Sequence, residues 1–408
     1  MINQKQNWRK PLLVVGILLG AITFSCQQES DPPITGDAIE FVQYKSGDII
    51  PGKYIVTLQP SGINFRKEMT YIATQATMRK TGSELLAKYR IAPDNISFVY
   101  GSGIEGFAVG LTDEQFELLS QDPSVIGIEP DRVIALAPPP GKGPGGSGGG
   151  GSTAQQTPYG ITRVGGGETY EGTKKAYIID SGIDSSHPDL NVNVNLGFNA
   201  FSKGKDSNLS SDGNGHGTHV SGTIGAIDNL FGVVGVAAGV TVVPVKVLDS
   251  RGSGTYSGVI AGVDYVTASA DPGDVANMSL GGPASTALDN AVRALGIAEV
   301  KVALAAGNDG ANANNSSPAR ANGDNIYTVS AIDSSDRFAY FSNYGNPPID
   351  FAAPGVGVLS TVPGGYASYS GTSMASPHVC GLLIWGTPKN GGTAIGDPDG
   401  TADIIAVK

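Results

Sequence analysis

Apolar runs broken by turn residues give this chain two patterned stretches separated by a featureless one. In the first, Tyr54-Ile55-Val56-Thr57-Leu58, Ile96-Ser97-Phe98-Val99-Tyr100, Gly106-Phe107-Ala108-Val109-Gly110-Leu111 and Val125-Ile126-Gly127-Ile128-Glu129-Pro130-Asp131 predict strands. Helical stretches fall within 65–89, and Thr112-Asp113-Glu114-Gln115 caps a helix running through Leu119. This β-α-β-β-α-β order predicts a small α+β domain over residues 40–137. In the second stretch, Ala176-Tyr177-Ile178-Ile179 is a short apolar run ending in Asp180, and residues 302–306 form another ending in Gly307-Asn308. Both read as buried strands with a polar group at the carboxyl end. Residues 379–385 are continuously apolar and predict a buried helix, the last clear helix before an acidic, Gly-containing tail. Residues 138–153, almost wholly Pro, Gly and Ser, predict a flexible linker.

Three segments of the second stretch carry chemistry. Gly371-Thr372-Ser373-Met374-Ala375-Ser376-Pro377-His378-Val379 puts Ser373 at a Gly-flanked turn ahead of the apolar helix. Free backbone N–H groups at a helix start favour a developing negative charge. Such a serine becomes a nucleophile when a base and an orienting carboxylate accompany it. Asp180 supplies the carboxylate. Asp212-Gly213-Asn214-Gly215-His216-Gly217-Thr218-His219-Val220 supplies His216 at the start of a small-residue helix.

The order Asp180, His216, Ser373 and the motifs around them resemble a subtilisin-type serine protease over residues 154–383, with features of the subtilisin and proteinase K branches. The resemblance implies an α/β fold with a mainly parallel sheet flanked by helices. It implies peptide hydrolysis in which Ser373 attacks, His216 moves the proton and Asp180 fixes the imidazole. Asn308 and the Ser373 N–H would form the oxyanion hole. Ser279, Leu280 and Gly281 on one side, and Ser253, Gly254 and Tyr256 on the other, match the family's substrate strands. Leu280 and Tyr256 are expected to be apolar walls. Asp309 lies close, but nothing resembles a charged pocket floor, so broad, apolar-leaning specificity is expected. Residues 40–137 resemble the family's inhibitor-type propeptide, which implies a folding chaperone, a temporary inhibitor and a self-processing precursor. A cut after Ala137 would meet Pro138, so cleavage is expected within 141–154. His187, His219 and His378, the remaining three of four histidines, are expected to be structural.

Charge and cysteines add location and a staple. The net charge of −11, with no basic cluster beyond the N-terminus, argues against nucleic acid as a partner. Lys5, Arg9 and Lys10 precede an apolar run over 12–24, too short to span a bilayer comfortably. The run ends Ser25-Cys26, which resembles a bacterial lipoprotein signal lipidated at Cys26; a plain secretory signal cut nearby is the alternative. Residues 1–26 are thus a signal, 27–39 a polar tether and 154–408 the peptidase domain, exported and then released by a cut in the linker. A monomer is expected. Cys380 is the only other cysteine, so no disulfide is expected. A structural calcium ion would replace one. By resemblance its ligands are the side chains of Gln155, Asp189 and Asn229 and the carbonyls of Ile227, Phe231 and Val233, all oxygen donors. A second cation position is expected at Asp350, with carbonyls between Ala319 and Ile326. A linker of this length spans roughly 20–24 Å, enough for Gln155 to reach the calcium loop before any cut.

Overall fold

The computed structural model describes residues 45–136 and 154–408. The signal, tether, Cys26, linker and cleavage region lie outside the described residues.

The N-terminal domain follows its pattern. Its elements are β1 (Ile49–Leu58), α1 (Tyr71–Lys88), β2 (Ile96–Tyr100), β3 (Gly106–Gly110), α2 (Asp113–Ser120) and β4 (Val125–Ala135). The strands lie side by side as β4-β1-β3-β2, all antiparallel. Thr112 and Gln115 cap each other's backbone N–H, which satisfies two orphan donors at the start of α2. Val56, Leu58, Phe107 and Val109 on one sheet face close over Met78, Leu85 and Leu86 of α1 and Leu119 of α2.

The larger domain is a doubly covered sheet. Its elements are β5 (Lys175–Asp180), α3 (His216–Gly225), β6 (Thr241–Lys246), β7 (Ser253–Thr255), α4 (Tyr256–Ser269), β8 (Val275–Met278), α5 (Thr286–Ile297), β9 (Lys301–Ala305), β10 (Ile326–Ile332), β11 (Ile349–Pro354), α6 (Thr372–Trp385), β12 (Lys389–Thr393) and β13 (Ile404–Val407). The strand order is β12-β13-β11-β10-β9-β8-β5-β6, with Phe198–Asn199 at the far edge. Every neighbouring pair is parallel except β12 with β13. Parallel strands covered on both faces have no solvent side, so they read as unbroken apolar runs; every residue of β8 is buried. One core lies under α3 and α6 (Val220, Ile224, Val379, Leu383), the other under α4 and α5 (Val259, Val263, Leu288, Val292).

One expectation is corrected here. The buried helix starts at Thr372 rather than at 379, with Pro377 inside it. Proline lacks the N–H that would bond the carbonyl four residues back. That carbonyl, on Ser373, instead accepts from Ser279 Oγ at 2.9 Å. The tail after Trp385 forms no further helix but two strands. It adds β13 parallel to β11, with Ala352 opposite Ile405, and folds β12 back against it. Asp403, 1% exposed, accepts from Ser330 Oγ at 2.5 Å and Asn346 Nδ2 at 2.9 Å. A four-residue apolar run behind a Gly/Asp loop is too short to stand out in the sequence.

The N-terminal domain covers α4 and α5. Ile55, Tyr100, Ala108 and Ile134 join the core cluster of Tyr256, Val259 and Leu288. Asp131 accepts from Ser257 N at 3.1 Å and Ser257 Oγ at 2.5 Å in the first turn of α4. Glu129 accepts from Ser285 Oγ at 2.8 Å and Ala287 N at 3.0 Å at the start of α5. Helix starts expose unpaired N–H groups and positive dipole, so both carboxylates are well matched to their seats. In the other direction, Asp264 of α4 accepts from the backbone N–H groups of Gly101 (3.0 Å), Ser102 (2.6 Å) and Gly103 (2.8 Å), and from Gln75 Nε2 at 3.2 Å.

Candidate active site

The carboxyl end of the sheet brings the expected residues together. Asp180 ends β5 and is fully buried, and His216 opens α3. His216 Nδ1 donates to Asp180, 2.9 Å from both carboxylate oxygens. Burial alone would lower the His216 pKa, but the Asp180 charge and hydrogen bond, with Asp212 behind them, outweigh it and the net shift is upward. Ser373 lies in the first turn of α6, and its hydroxyl donates to the Ser279 carbonyl at 3.1 Å. Among the described residues it makes no hydrogen bond to His216. Asn308 follows β9. Its Oδ1 accepts from Thr372 N at 2.8 Å and Thr372 Oγ1 at 3.0 Å. This fixes the amide orientation and leaves its NH2 group free of that contact.

Ser373, Asn308, Ser279, Leu280, Gly281 and Asp309 line one cavity of about 640 Å3, together with Ala135 and Leu136 from the end of the N-terminal domain. That end is laid into the cleft as an added strand. Val133, Ile134 and Ala135 pair antiparallel with Thr255, Gly254 and Ser253, and Leu136 N donates to Gly252 O at 2.9 Å. Backbone pairing of this kind grips any sequence. Gly254 is required for a reason internal to the domain: a Cβ there would lie 2.2 Å from Val247 O. With the N-terminal domain's end in place Tyr256 is 1% exposed: it shares one apolar cluster with Ile134 of that end and with Leu280, and its hydroxyl donates to Pro283 O at 2.6 Å.

The other histidines are structural. His219 Nε2 donates to Val358 O (3.0 Å) and Ala367 O (3.1 Å), and burial, helped by the nearby His216, lowers its pKa to about 3. His378 Nδ1 donates to Met374 O at 2.9 Å, and burial lowers its pKa to about 4. His187 bridges Gly365 O and the Asp189 N–H. Cys380 is buried and free, its thiol pushed well above its usual range by burial. Sequence reasoning missed Lys246, whose ammonium is buried at the end of β6 and donates to Ser181 O at 2.5 Å and Leu248 O at 3.1 Å, with Asp206 at 3.5 Å. Its signal was a lone lysine closing an apolar strand. Thr372, which orients Asn308, and Asp212, inside the histidine motif, were also passed over.

Residues 176–385 match the model of the Subtilase family, a span that contains Asp180, His216, Asn308 and Ser373. The chain belongs to the subtilase family. It is a serine peptidase, and residues 53–137 match the Peptidase inhibitor I9 family. The subtilase is 41% identical over 288 residues to Subtilisin NAT of Bacillus subtilis subsp. natto, covering 68% of this chain and 69% of that one. It is 36% identical over 397 residues to the Cuticle-degrading protease of Metarhizium anisopliae, covering 93% and 89%. It is 35% identical over 384 residues to the Extracellular serine proteinase of Thermus sp. (strain Rt41A), covering 90% and 87%. The crystal structure of a cold-adapted subtilisin-like serine proteinase superposes with a TM-score of 0.53 at 38% identity, covering 61% of this chain and 97% of that one. No helix of the subtilase's described residues is long and apolar enough to cross a membrane.

The residues expected to hold calcium also converge. Gln155 is docked on the 227–233 loop in the uncut chain: its N–H donates to Leu230 O at 3.3 Å and its Nε2 to Ile227 O at 3.1 Å. Asn229 Nδ2 donates to Asp189 Oδ1 at 2.7 Å, and Asp189 Oδ2 accepts from Val233 N (3.0 Å) and Tyr366 OH (3.2 Å). Asp189 is fully buried, its hydrogen bonds come from neutral donors, and burial raises its pKa. A cation fits this donor set. The Gln155 amide nitrogen faces the Ile227 carbonyl, and turning that amide over would present its oxygen; the Asn229 amide is held as it stands, its Oδ1 accepting from Phe231 N at 2.8 Å. At the second expected position, Asp350 accepts from Thr328 N at 2.8 Å, while Ala319 O accepts from Thr328 Oγ1 at 2.8 Å.

Proposed function

We propose that the subtilase is an exported, calcium-stabilised endopeptidase working through Asp180, His216 and Ser373, and made as a precursor that cuts itself. Ser373 Oγ attacks the scissile carbonyl as His216 Nε2 takes its proton. His216 then protonates the leaving amine, and water repeats the sequence to free the acid. Asp180 holds the imidazole tautomer and balances the imidazolium. The developing oxyanion is met by the Asn308 amide and the Ser373 N–H. Substrate adds as a strand along Ser253 and Gly254, facing Ser279, Leu280 and Gly281, with broad, apolar-leaning preference. Calcium held by Gln155, Asp189, Asn229 and the carbonyls of Ile227, Phe231 and Val233 ties the start of the peptidase domain to its loop, and supplies charge neutralisation rather than chemistry. The observation that carries this reading is the occupied cleft: a strand lies on Ser253–Thr255 with its end beside Ser373 and Asn308. The precursor is inhibited in that state, and a cut within 141–154 releases the peptidase from any anchor at Cys26.

A serine-directed phosphonate tests the reading. The matured enzyme should be labelled at Ser373 and lose activity, while a Ser373→Ala chain should take no label. A precursor that is never labelled and never hydrolyses peptide would mark the domain as a binding module instead.

A further inference from the structure

Helix α3, which begins with His216, has no cap of its own. Its N-cap is Gly215, at φ 93°, which offers no side-chain oxygen. The donors at and just before its start are met from elsewhere. Asp212 Oδ1 accepts from Gly215 N at 2.8 Å and Asn214 N at 3.1 Å. Asp212 Oδ2 accepts from Thr218 N at 2.9 Å and Thr218 Oγ1 at 2.7 Å. Gly217 N donates to Ser181 Oγ at 3.0 Å, and that hydroxyl donates to Asp212 Oδ1 at 2.9 Å. Ser181 follows Asp180, and its own N–H donates to Asp180 Oδ1 at 2.7 Å. One buried carboxylate therefore joins the segment of the acid to the helix of the base. The fit is close, since a Cβ at Gly217 would lie 2.1 Å from Gly182 O and 3.2 Å from Asp180 Cβ.

We infer that Asp212 is a positioning residue which, through Ser181, sets the relation of Asp180 to His216 and so governs the proton relay. The inference rests on the triad reading given above. β5 and α3 are separate elements, and the His216–Asp180 bond alone cannot fix the angle between them. A carboxylate accepts at both oxygens; an asparagine would turn an NH2 group toward donors on one side. The charged groups around this network are His216 on α3, Asp180 on β5, and Lys246 on β6, whose ammonium is on Ser181 O with Asp206 beyond it. Within this set the Asp212 charge is among those that raise the His216 pKa. Asp212 thus has both a geometric and an electrostatic consequence.

The test uses Asp212→Asn and Ser181→Ala in the full precursor with calcium. Self-processing is timed by intact mass, and kcat and KM on a chromogenic peptide amide are followed across the pH range. Asp212→Asn should lower kcat about 10- to 100-fold with KM within about twofold. Its acid limb should move down, because losing a negative charge lowers the His216 pKa and keeps the base neutral at lower pH. Ser181→Ala keeps the charge, so kcat should fall while the limb stays. A folded Asp212→Asn enzyme with wild-type kcat and pH profile overturns the inference. If that variant does not fold, Ser181→Ala with unchanged kcat overturns it. An inactive wild type would instead sink the triad reading, and this inference with it; an active wild type beside unaffected variants sinks this inference alone.

Discussion

Replacing Asp264 by alanine should weaken the hold of the N-terminal domain on the peptidase. In the structure this carboxylate collects the N–H groups of Gly101, Ser102 and Gly103 and the Gln75 amide across the interface. Alanine leaves those donors without an acceptor. A buried donor left unpaired costs about 1–3 kcal/mol. Ser102 and Gly103 are only half-buried, so water can partly serve them. Removing a carboxylate that burial disfavours also returns some free energy. A net loss of about 2–4 kcal/mol remains, or roughly 30- to 1000-fold in inhibition constant. The assay is inhibition of matured Asp264→Ala and wild-type enzymes by the separated N-terminal domain, read on a peptide amide. Both enzymes should share kcat and KM, since Asp264 is remote from the cleft residues. An inhibition constant within threefold of wild type would refute the reasoning and leave the apolar contacts of Tyr100 and Ile134 as the source of affinity.

The same carboxylate makes inhibition pH-dependent. Burial lifts Asp264 to about 6 in the inhibited state, against 3.8 when exposed. The state with the raised pKa holds its proton more tightly, so inhibition should strengthen as pH falls through about 6 and loosen above it, with a ceiling of about 100-fold. Asp131, also raised by burial, pulls the same way; inhibition that weakens in acid would contradict this. Asn308→Ala should reduce kcat by roughly 10²–10³ with little change in KM, and a loss confined to KM would remove Asn308 from the oxyanion role. Chelation should shorten the thermal half-life of the matured enzyme, and Asp189→Asn should be short-lived with or without chelator. A half-life indifferent to chelator in the wild type would count against the calcium site.

Much of this molecule was legible because its periodicities are local. The N-terminal strands and the Thr112 cap lie where the pattern puts them, since each is set by neighbouring residues. Asp180, His216 and Asn308 were legible as polar groups at the ends of apolar runs or in glycine turns. What escaped depends on partners distant in sequence. Pro377 inside α6 makes sense only with Ser279 supplying the missing donor. Ile404–Val407 becomes a strand only because β11 offers an edge. Asp212 and Lys246 look like ordinary charges until the fold closes three segments around them.

The most direct test of the central claim is intact mass over time for the purified precursor beside its Ser373→Ala counterpart, with calcium present. The account predicts that the wild type splits between 137 and 154 while the alanine chain stays whole. Both chains staying whole, or both splitting at the same rate, would contradict it.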